Sequence, residues 1–546
     1  MFSSAKNNVK GYPIQTRHAL SLHFQFSIIM YDRGLFHKWV PGIVMLALIV
    51  FLLFVVMLIN PINSGNISQM SASTGVLSEY YMWGTFATII GMSLVLPFIM
   101  RIKMRFRSKE LMITALIVMA ILSVVVANTQ IGEIVVVSCL VFGIFKMVGM
   151  IEMILPVRAI LSPDGDNNRF YSIFYAISIG SSQIGTFFTS IYALNVGWQA
   201  LHYYASAILL IAALLCVIFK HDKRFSRKYP FIYIDWKGVL QFATILMSLA
   251  YIFAFGKQQD WFNSPYILAA IGLVILSIFS LIKRQMNIKH PFLSFKLYKI
   301  KDVRYGLLLL VGQGMYMGIG VIASIYTAAI LGYNWMTNAS LNLMTLPGIV
   351  AASFVAFHWT KNNIPIKWYI FSGFAAYFLY TVMLYFMMVP QLNISQLYLP
   401  QILNGYGMCA LFISVWIYTL RSVPQQDMLP SVAPVMIFRS FFLMALFTAL
   451  FGWLQYKFQW QSAGDMAYYF DAFMIGQSPA GVASYGQLQL NAILAANKIV
   501  LGYAIIAGMG ILTFVGLHQF GRQKYHIARY RMFKAERIGI DGALNG

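Results

Sequence analysis

Long apolar runs, each about as long as one membrane crossing, alternate with short basic segments along almost the whole chain. A hydrocarbon core about 30 Å thick takes roughly 20 apolar residues per helical crossing. Of the 546 residues, 60% are hydrophobic and 10% are charged, which leaves too few polar side chains to cover a soluble globule of this size. The pattern therefore predicts an all-α integral membrane protein.

The apolar runs are separated by charged or turn-forming residues, and we expect each run to form one transmembrane helix. Counting them along the chain predicts fourteen spans. The predicted spans are 40–60, 80–100, 110–128, 132–157, 170–195, 199–219, 237–256, 264–282, 305–331, 336–359, 368–389, 397–420, 435–457 and 491–517.

The basic residues test this count, because cytoplasmic loops of membrane proteins carry an excess of Lys and Arg. With the N-terminus inside, fourteen spans place 34 of the 39 Lys and Arg on the cytoplasmic side. Of the other five, only Lys257 and Lys457 fall at the outer face. We therefore expect both termini in the cytoplasm and a multi-pass protein of a bacterial inner membrane. Basic residues spread between spans, rather than over one polar face, do not indicate nucleic-acid binding.

Two segments outside the spans carry separate predictions. Residues 1–29 lack the apolar core and cleavage site of a signal peptide, and Met30 opens a natural start, MYDRGLFHKWVP. We expect these residues to be a dispensable, basic extension. The longest outer connection, 459–490, is too amphiphilic to be a span. Two interpretations of it remain open, a lid or docking surface and a partly helical loop without a dedicated role.

Three segments carry a family resemblance: VGWQALHY (196–203), IDWKGVL with GKQQDWFNSPYI (234–267), and the stretch from Pro291 to Val350 that contains LGYNW and LPGIV. Together with the order of the spans, they resemble the major facilitator superfamily, in particular its 14-helix drug:proton antiporters of the EmrB/QacA type. The resemblance implies two six-helix bundles with two inserted helices between them. The implied divisions are a tail 1–38, a bundle 39–219, inserted helices 220–304, a bundle 305–517 and a tail 518–546.

The motifs of that family are only partly present. The loop after the second span, MRIKMRFRSK, keeps the basic character of the family's gating loop but has Met104 where the family has Asp. The fifth span, ISIGSSQIGTFF, has Ser182 where the antiporters carry a Pro, and the first span is apolar around Leu52 where they often carry an acid. We predict a role for the loop either in gating or in binding anionic lipid headgroups. Its candidate residues are Arg101, Lys103, Arg105 and Arg107.

Charged residues inside a span usually line a cavity or pair with one another. Lys146 and Glu152 both lie in the fourth span, but six residues of helix turn through about 240° beyond a full turn, so the two do not share a face. Glu152 is the only carboxylate inside a predicted span. We predict that it couples transport to protons, with a structural hydrogen bond or a hydrated position near the cytoplasm as alternatives. Lys146 is a candidate for the substrate cavity.

Four more polar residues lie in spans that would border the central cavity of the family's fold. For the amides, binding a substrate and bonding a neighbouring helix both remain open. For the arginine, lining the cavity and snorkelling to the cytoplasm remain open. These residues are Gln183, Gln313, Asn404 and Arg439.

Three classes of function follow from these observations. The leading hypothesis is secondary active export of amphipathic small molecules by alternating access, coupled to protons. The alternative is a proton-independent facilitator or exchanger for an anionic metabolite. An enzyme is disfavoured, because the chain has no His-x-x-x-His pair and no nucleotide-binding loop, and its three cysteines lie at no metal-ligand spacing. No cofactor or metal is expected. The resemblance implies a periplasmic adaptor and an outer-membrane channel as partners, docking at 459–490.

Overall fold

A computed structural model describes residues 36–37, 39–59, 62, 64–161, 167–222, 234–288, 298–362, 364–423, 428–467 and 479–520. This part of the chain consists of helices and short connections, with one isolated antiparallel bridge between Phe36 and Lys220. The predictions for residues 1–29 and for most of both tails lie outside the described residues, as does the middle of the 459–490 connection.

The long helices are numbered here in chain order, and each coincides with one predicted span. Eleven of them are single α-helical segments apart from short 3₁₀ turns at their ends, and ten of these are given first. They are α1 (Gly42–Leu58), α2 (Ser78–Val95), α3 (Ser108–Asn128), α4 (Gly132–Leu161), α5 (Asn167–Asn195), α6 (Trp198–Phe219), α7 (Trp236–Phe255), α8 (Pro265–Asn287), α11 (Ile366–Phe386) and α12 (Tyr398–Leu420). The eleventh is α14 (Pro479–Leu517).

Three further helices are interrupted, which the apolar pattern did not predict. α9 runs through Lys301–Gly318 and Gly320–Ile325 into a π-helical turn, Tyr326–Ile330. α10 consists of Trp335–Leu343 and Leu346–Lys361. α13 consists of Met428–Ile437, a π-helical segment Phe438–Leu443, and Met444–Ala467. Pro434 precedes the π-helical segment of α13, and a proline inside a helix removes a backbone hydrogen bond and disturbs the turn before it.

Twelve helices of the described residues are long and apolar enough to cross a membrane. The two predicted spans not among them coincide with α1, which is 17 residues long, and with α5, which is 29 residues long but rich in serine and other polar residues. The protein is therefore an all-helical, multi-pass membrane protein. The count of fourteen crossings stays a prediction.

The connection 459–490 is helical at both ends, which agrees with the interpretation of it as partly helical. α13 continues to Ala467 and α14 begins at Pro479, so the two ends of this connection are helical extensions of the neighbouring spans. At 1.5 Å per residue the 39 residues of α14 measure about 58 Å, well beyond the hydrocarbon core. The apolar run marked where the membrane ends, but amphiphilic residues without a helix breaker let the helix continue into water.

The turn between α5 and α6 shows how a short motif sets the path of the chain. Gly197 has a φ of 100°, in a region that side chains with a Cβ rarely adopt. Trp198 then enters α6 buried, and its indole Nε1 donates a hydrogen bond to the Ser73 Oγ at 2.5 Å. The Gly-Trp pair of VGWQALHY therefore fixes the turn and anchors the start of α6 against the segment that precedes α2.

Glycines allow the closest helix crossings, and they do so in the same way in both halves of the molecule. A Cβ on Gly91 of α2 would overlap the carbonyl oxygen of Leu140 in α4, and a Cβ on Gly143 of α4 would overlap that of Thr88. The second half repeats this reciprocal contact. There a Cβ on Gly348 of α10 would overlap the carbonyl oxygen of Ile402 in α12, and a Cβ on Gly405 of α12 would overlap that of Thr345. Small residues let helix backbones approach closely inside a membrane protein.

The buried side chains form two main cores, one for each half of the chain. The first unites residues of α1 to α6, and the second unites residues of α9 to α14 together with Tyr175 and Ile179 of α5. Two smaller cores join α7 and α8 to α2, α4 and α13. The halves meet where α5 packs against α10 and α12 and where α2 packs against α13.

The inserted pair, α7 and α8, is closed at one end by a buried carboxylate. Asp235 caps α7 by accepting a hydrogen bond from the Gly238 backbone N–H at 3.0 Å. It also pairs with Arg284 of α8 at 2.7 Å and accepts a hydrogen bond from Gln285 at 2.9 Å. These contacts hold the two helices together as a hairpin that packs on α2.

Candidate functional site

The contact between the two halves is closed at the end where the basic loop 101–109 lies, which we call the basic end. On that side, Ser353 of α10 donates its hydroxyl hydrogen to the Ser172 carbonyl of α5 at 2.9 Å. Rings also cross the boundary, since Tyr171 and Tyr175 of α5 lie edge-on to Trp416 of α12, with centroids 6.5 and 6.2 Å away. Residues near these contacts are therefore well placed to respond to movement of one half against the other.

Arg439 lies within this boundary, in the π-helical segment of α13. Its guanidinium carbon is 4.2 Å from the ring centroid of Phe412, 4.8 Å from that of Trp416 and 5.4 Å from that of Tyr175. We call these four residues the arginine cage. The side chain is only 6% exposed, and its Nη1 donates a long hydrogen bond of 3.5 Å to the Phe412 carbonyl. Arg439 thus lies between rings of both halves, an arrangement that favours lining the cavity over snorkelling, and its role stays a prediction.

The arginine cage offers a specific kind of chemistry. A guanidinium is attracted to the faces of aromatic rings and always carries its charge, whereas its edge keeps several N–H donors. The Arg439 Nε has no hydrogen-bond acceptor in the described part of the chain. A group that binds here meets flat apolar surfaces and one cationic edge, which suits a molecule with an aromatic body and an electronegative or anionic group.

Gln313 lies on α9, which packs against the π-helical segment of α13. The next residue, Gly314, is in contact with Leu443, one turn along α13 from Arg439. Gln313 is fully buried, and within the described residues neither its amide nitrogen nor its amide oxygen has a hydrogen-bond partner. A buried amide without partners is costly, so this position favours a polar ligand or water.

The other predicted cavity residues lie further apart. Asn404 of α12 donates a hydrogen bond to the Gln401 side chain at 3.2 Å, one turn nearer the start of the same helix, so this bond does not decide between its two interpretations. Gln183 is half-buried on α5, the helix that spans the boundary between the halves. Lys146 is fully buried in α4, one turn past the glycine crossing with α2. The structure therefore brings Arg439 and Gln313 onto adjoining helices and leaves Asn404, Gln183 and Lys146 on other surfaces.

Glu152 occupies a second location, at the basic end of α4. It is 1% exposed, lies 3.3 Å from the Lys103 Nζ, and accepts a hydrogen bond from the Ser108 hydroxyl. Ser108 is the first residue of α3, and Lys103 lies in a short helix, Ile99–Arg105, before it. Burial lowers the pKa of the Lys103 ammonium, Glu152 raises it in part, and the charge of Lys220 lowers it, with a net lowering. The predicted coupling residue is thus the counter-ion of the predicted gating loop.

The four basic residues of that loop do not act alike. Lys103 turns inward to Glu152, whereas Arg107 pairs with Asp222 after α6 and with Glu110 in the first turn of α3. Arg101 and Arg105 are both half-buried on the same short helix. Of these four, Lys103 forms the described ion pair with the carboxylate of α4, beside the hydrogen bond from Ser108.

Sequence reasoning did not single out the aromatic residues of the arginine cage or the partners of Glu152. A weak signal existed for the aromatics, because Phe412 and Trp416, like Tyr171 and Tyr175, are spaced four residues apart and so share a helix face. No local signal marked Ser108 as a donor to Glu152. Within the described residues no three His, Cys, Asp or Glu side chains could hold a metal ion together, and the three cysteines are buried and form no disulfide.

Comparison with known proteins finds relatives of low sequence identity, and the two described here are both named as resistance proteins. The chain is 23% identical over 279 residues to the puromycin resistance protein pur8 of Streptomyces alboniger, covering 50% of this chain and 54% of that one. It is 22% identical over 175 residues to the probable multidrug resistance protein EmrY of Escherichia coli (strain K12), covering 31% of this chain and 33% of that one. The alignments thus span about half and one third of those relatives.

Solved structures share the fold. The nucleoside transporter NupG matches with a TM-score of 0.50 at 12% identity, covering 87% of this chain and 99% of that one. The tetrameric PepTSo2 matches with a TM-score of 0.52 at 11% identity, covering 86% and 97%. The family model described as Major Facilitator Superfamily matches residues 45–428, well over half of the chain. With the two packed halves and the helix pairs described above, this match shows that the protein is a transporter-type member of the Major Facilitator Superfamily.

Proposed function

We propose that this protein exports amphipathic small molecules across a bacterial inner membrane by alternating access. In this proposal fourteen helices cross the membrane, α7 and α8 are inserted between two six-helix bundles, and both termini lie in the cytoplasm at the basic end. The bundles are 39–219 and 305–517. Support comes from the position of 34 of 39 Lys and Arg on one side and from the drug-resistance relatives.

The observation that carries the proposal is the arginine cage at the boundary between the bundles. Substrate would bind beside Arg439 and Gln313, with aromatic rings on both sides of the boundary providing adaptable apolar contacts. Because Tyr175 belongs to one bundle and Phe412 to the other, a rocking motion changes the site itself. This is the geometry that alternating access requires, since the site must open to one side at a time.

Proton coupling is proposed at Glu152. Its carboxylate is held by the Lys103 ammonium and the Ser108 hydroxyl, so taking up a proton would remove the attraction between α4 and the short helix Ile99–Arg105. Losing one partner of a buried ion pair leaves the other charge uncompensated, which strongly disfavours the original arrangement. Protonation would therefore release the loop and allow the basic end to open.

Vesicle transport with and without an imposed pH gradient tests this coupling. We expect Glu152→Gln to abolish the response to the gradient while the protein remains folded, because the amide cannot exchange a proton. Glu133→Gln is a matched control at the opposite end of the same helix, where the carboxylate is exposed and accepts a hydrogen bond from Tyr80 at 2.8 Å. Export by Glu152→Gln that still follows the gradient at the wild-type rate would rule out the assignment.

A second function, proton-independent exchange of an anionic metabolite, is favoured by the buried cations. Lys146 is 0% exposed and Arg439 is 6% exposed, whereas Glu152 is already engaged by Lys103. Buried basic side chains can attract an anion that enters the interior. Transport that ignores the pH gradient but is lost in Lys146→Ala would favour this function over the first.

The partners are also part of the proposal. A periplasmic adaptor, continuing to an outer-membrane channel, would dock on the helical extensions of α13 and α14 within 459–490. Exposed Trp460 and Tyr485 lie on these extensions and offer apolar contacts. Co-purification of an adaptor that disappears in a Trp460→Ala, Tyr485→Ala double variant, with transport in vesicles preserved, would support docking. Retained co-purification would contradict it.

A further inference from the structure

Two basic segments that are more than one hundred residues apart meet at the basic end of the first bundle. The Lys109 Nζ donates a hydrogen bond to the Val217 carbonyl of α6 at 2.7 Å, and Arg107 pairs with Asp222 just beyond that helix. The end of α6 has a further contact near the start of the described chain, where the His37 backbone N–H donates a hydrogen bond to the Phe219 backbone carbonyl at 3.0 Å. The loop before α3 and the end of α6 thus form one surface, which we call the basic corner.

Lys220 is the residue of this corner whose environment is least expected. It caps the C-terminal end of α6, is 1% exposed, and its Nζ has no hydrogen-bond partner in the described part of the chain. It lies close enough to Lys103 for its charge to lower the pKa of that ammonium. An ammonium taken out of water without an anion is very costly, so the site needs either a neutral lysine or a negative group.

Among the described residues, the nearby carboxylates do not supply a negative group for Lys220, because each is engaged by another side chain. Glu152 is the buried acid of the corner, and it is already held by Lys103 and Ser108. Asp222 pairs with Arg107, and Glu110 accepts from the Arg107 backbone N–H and lies beside its guanidinium. Within the described part of the chain, Lys220 is therefore the lysine of the corner whose ammonium has no carboxylate partner.

We infer that Lys220 and Lys103 bind a phosphate group at the basic corner. A phosphate has oxygen acceptors pointing in several directions, so it can accept hydrogen bonds from two ammonium groups on different helices at once. The group comes either from the headgroup of an anionic phospholipid or from inorganic phosphate. The basic loops that the charge rule assigns to the cytoplasm lie at the membrane surface, where anionic headgroups concentrate.

Phosphate bound at this site would affect the proposed proton coupling at Glu152. The phosphate proposal itself does not depend on that coupling. A phosphate at Lys220 competes with Glu152 for Lys103, because both anions need the same ammonium. Occupation of the site would loosen the attachment of the short helix Ile99–Arg105 to α4 and would tie it to α6 instead.

The test compares the full-length wild type with Lys220→Met, which keeps the length of the side chain and removes its charge. One arm reconstitutes both proteins in nanodiscs of phosphatidylcholine with or without phosphatidylglycerol and measures thermal unfolding. The other arm titrates inorganic phosphate into delipidated protein in detergent. We expect the wild type to respond in at least one arm and Lys220→Met to bind about ten-fold more weakly or to lose the response. The responding arm identifies the source of the phosphate.

Lys237→Gln is the matched control, because Lys237 is an exposed lysine at the same end of the molecule and its removal changes the net charge equally. A response that Lys237→Gln loses as fully as Lys220→Met would show a diffuse charge effect and overturn the site. So would equal responses of Lys220→Met and wild type, or no response of the wild type in either arm. A change in the baseline stability of Lys220→Met does not affect the comparison, since the measured quantity is the added effect of phosphate or lipid.

Discussion

At the scale of single residues, Arg439 is the position at which a small change has the largest expected effect on transport. Arg439→Gln removes the charge that three rings surround, and we expect transport to fall at least about ten-fold with protein levels unchanged. Arg439→Lys keeps the charge but loses the flat guanidinium face and should recover only part of the rate. Initial rates of substrate efflux from vesicles measure both.

Lys457→Gln serves as the control for Arg439, because Lys457 also lies over an aromatic ring of α13, 5.3 Å from the centroid of Trp453, but is exposed near the far end of the helix. We expect it to transport at the wild-type rate. Equal losses in the two variants would mean that the effect comes from net charge and not from the arginine cage.

At the residue scale, the sequence makes a polar group visible when it lies in an apolar run, while the roles assigned to such groups stay predictions. Arg439, Gln313 and Glu152 were selected because a charge or amide inside a span is visible from composition alone, and all three are buried. Their partners were not visible. Whether Glu152 meets Lys103 depends on how α4 packs against the loop before α3, and that contact is fixed by tertiary packing rather than by spacing along the chain.

At the scale of helices, the crossing of α2 and α4 makes a prediction about packing. Gly143→Ala places a methyl group on the Thr88 carbonyl oxygen, so the helices must separate, and we expect a loss of about 1–3 kcal/mol in stability. Gly149→Ala on the same helix is the control, because its Cβ would lie 3.7 Å from the Ala115 methyl, an ordinary contact. Thermal unfolding in detergent should separate the two variants. Equal melting temperatures would contradict the crossing.

The α7–α8 hairpin makes a prediction that depends on pH. Burial alone would raise the pKa of Asp235, but hydrogen bonds from Arg284, Gly238 and Gln285 lower it below its ordinary value of 3.8. The folded form therefore favours the charged carboxylate, and this stabilisation is present above the ordinary pKa and is lost as pH falls through the lowered one. We expect Asp235→Ala to cost about 1–3 kcal/mol at neutral pH.

The difference between Asp235→Ala and wild type should shrink when both are unfolded at a pH below the lowered pKa of Asp235, since the wild-type carboxyl is then protonated too. Thermal unfolding in a detergent that tolerates acid measures the difference at both pH values. A difference that stays constant between them would show that the loss comes from packing around α7 rather than from the charge.

Helix positions were predicted well because apolar run length follows directly from the thickness of a membrane, and α5 begins within a few residues of its predicted span. The interruptions were not predicted, because an apolar run looks the same whether its helix is continuous or broken. Pro434 in α13 was the available signal. The break between Leu343 and Leu346 in α10 had a similar signal, because Pro347 has no N–H to donate to the Leu343 carbonyl one turn earlier.

At the scale of the whole molecule, the arrangement of two halves follows from general properties of the chain. Hydropathy and charge act over every span, so the all-helical membrane fold could be predicted from the sequence. The count is less secure, because α1 is short and α5 is polar. The polar character of α5 has a reason that only the fold reveals, because one face of this helix packs against α10 and α12 of the other half.

The closed basic end predicts what happens when the halves are tied together there. Ser172→Cys in α5 combined with Ser353→Cys in α10 places thiols on two residues that are joined by a hydrogen bond of 2.9 Å from the Ser353 hydroxyl to the Ser172 backbone carbonyl. If transport requires this end to open, a short bifunctional thiol reagent should stop efflux from vesicles almost completely, and a cleavable reagent should allow recovery. Each single-cysteine variant, carrying the same three buried native cysteines, should transport normally after the same treatment. Full transport by the cross-linked double variant would mean that the bundles do not separate at the basic end, and alternating access through this boundary would have to be abandoned.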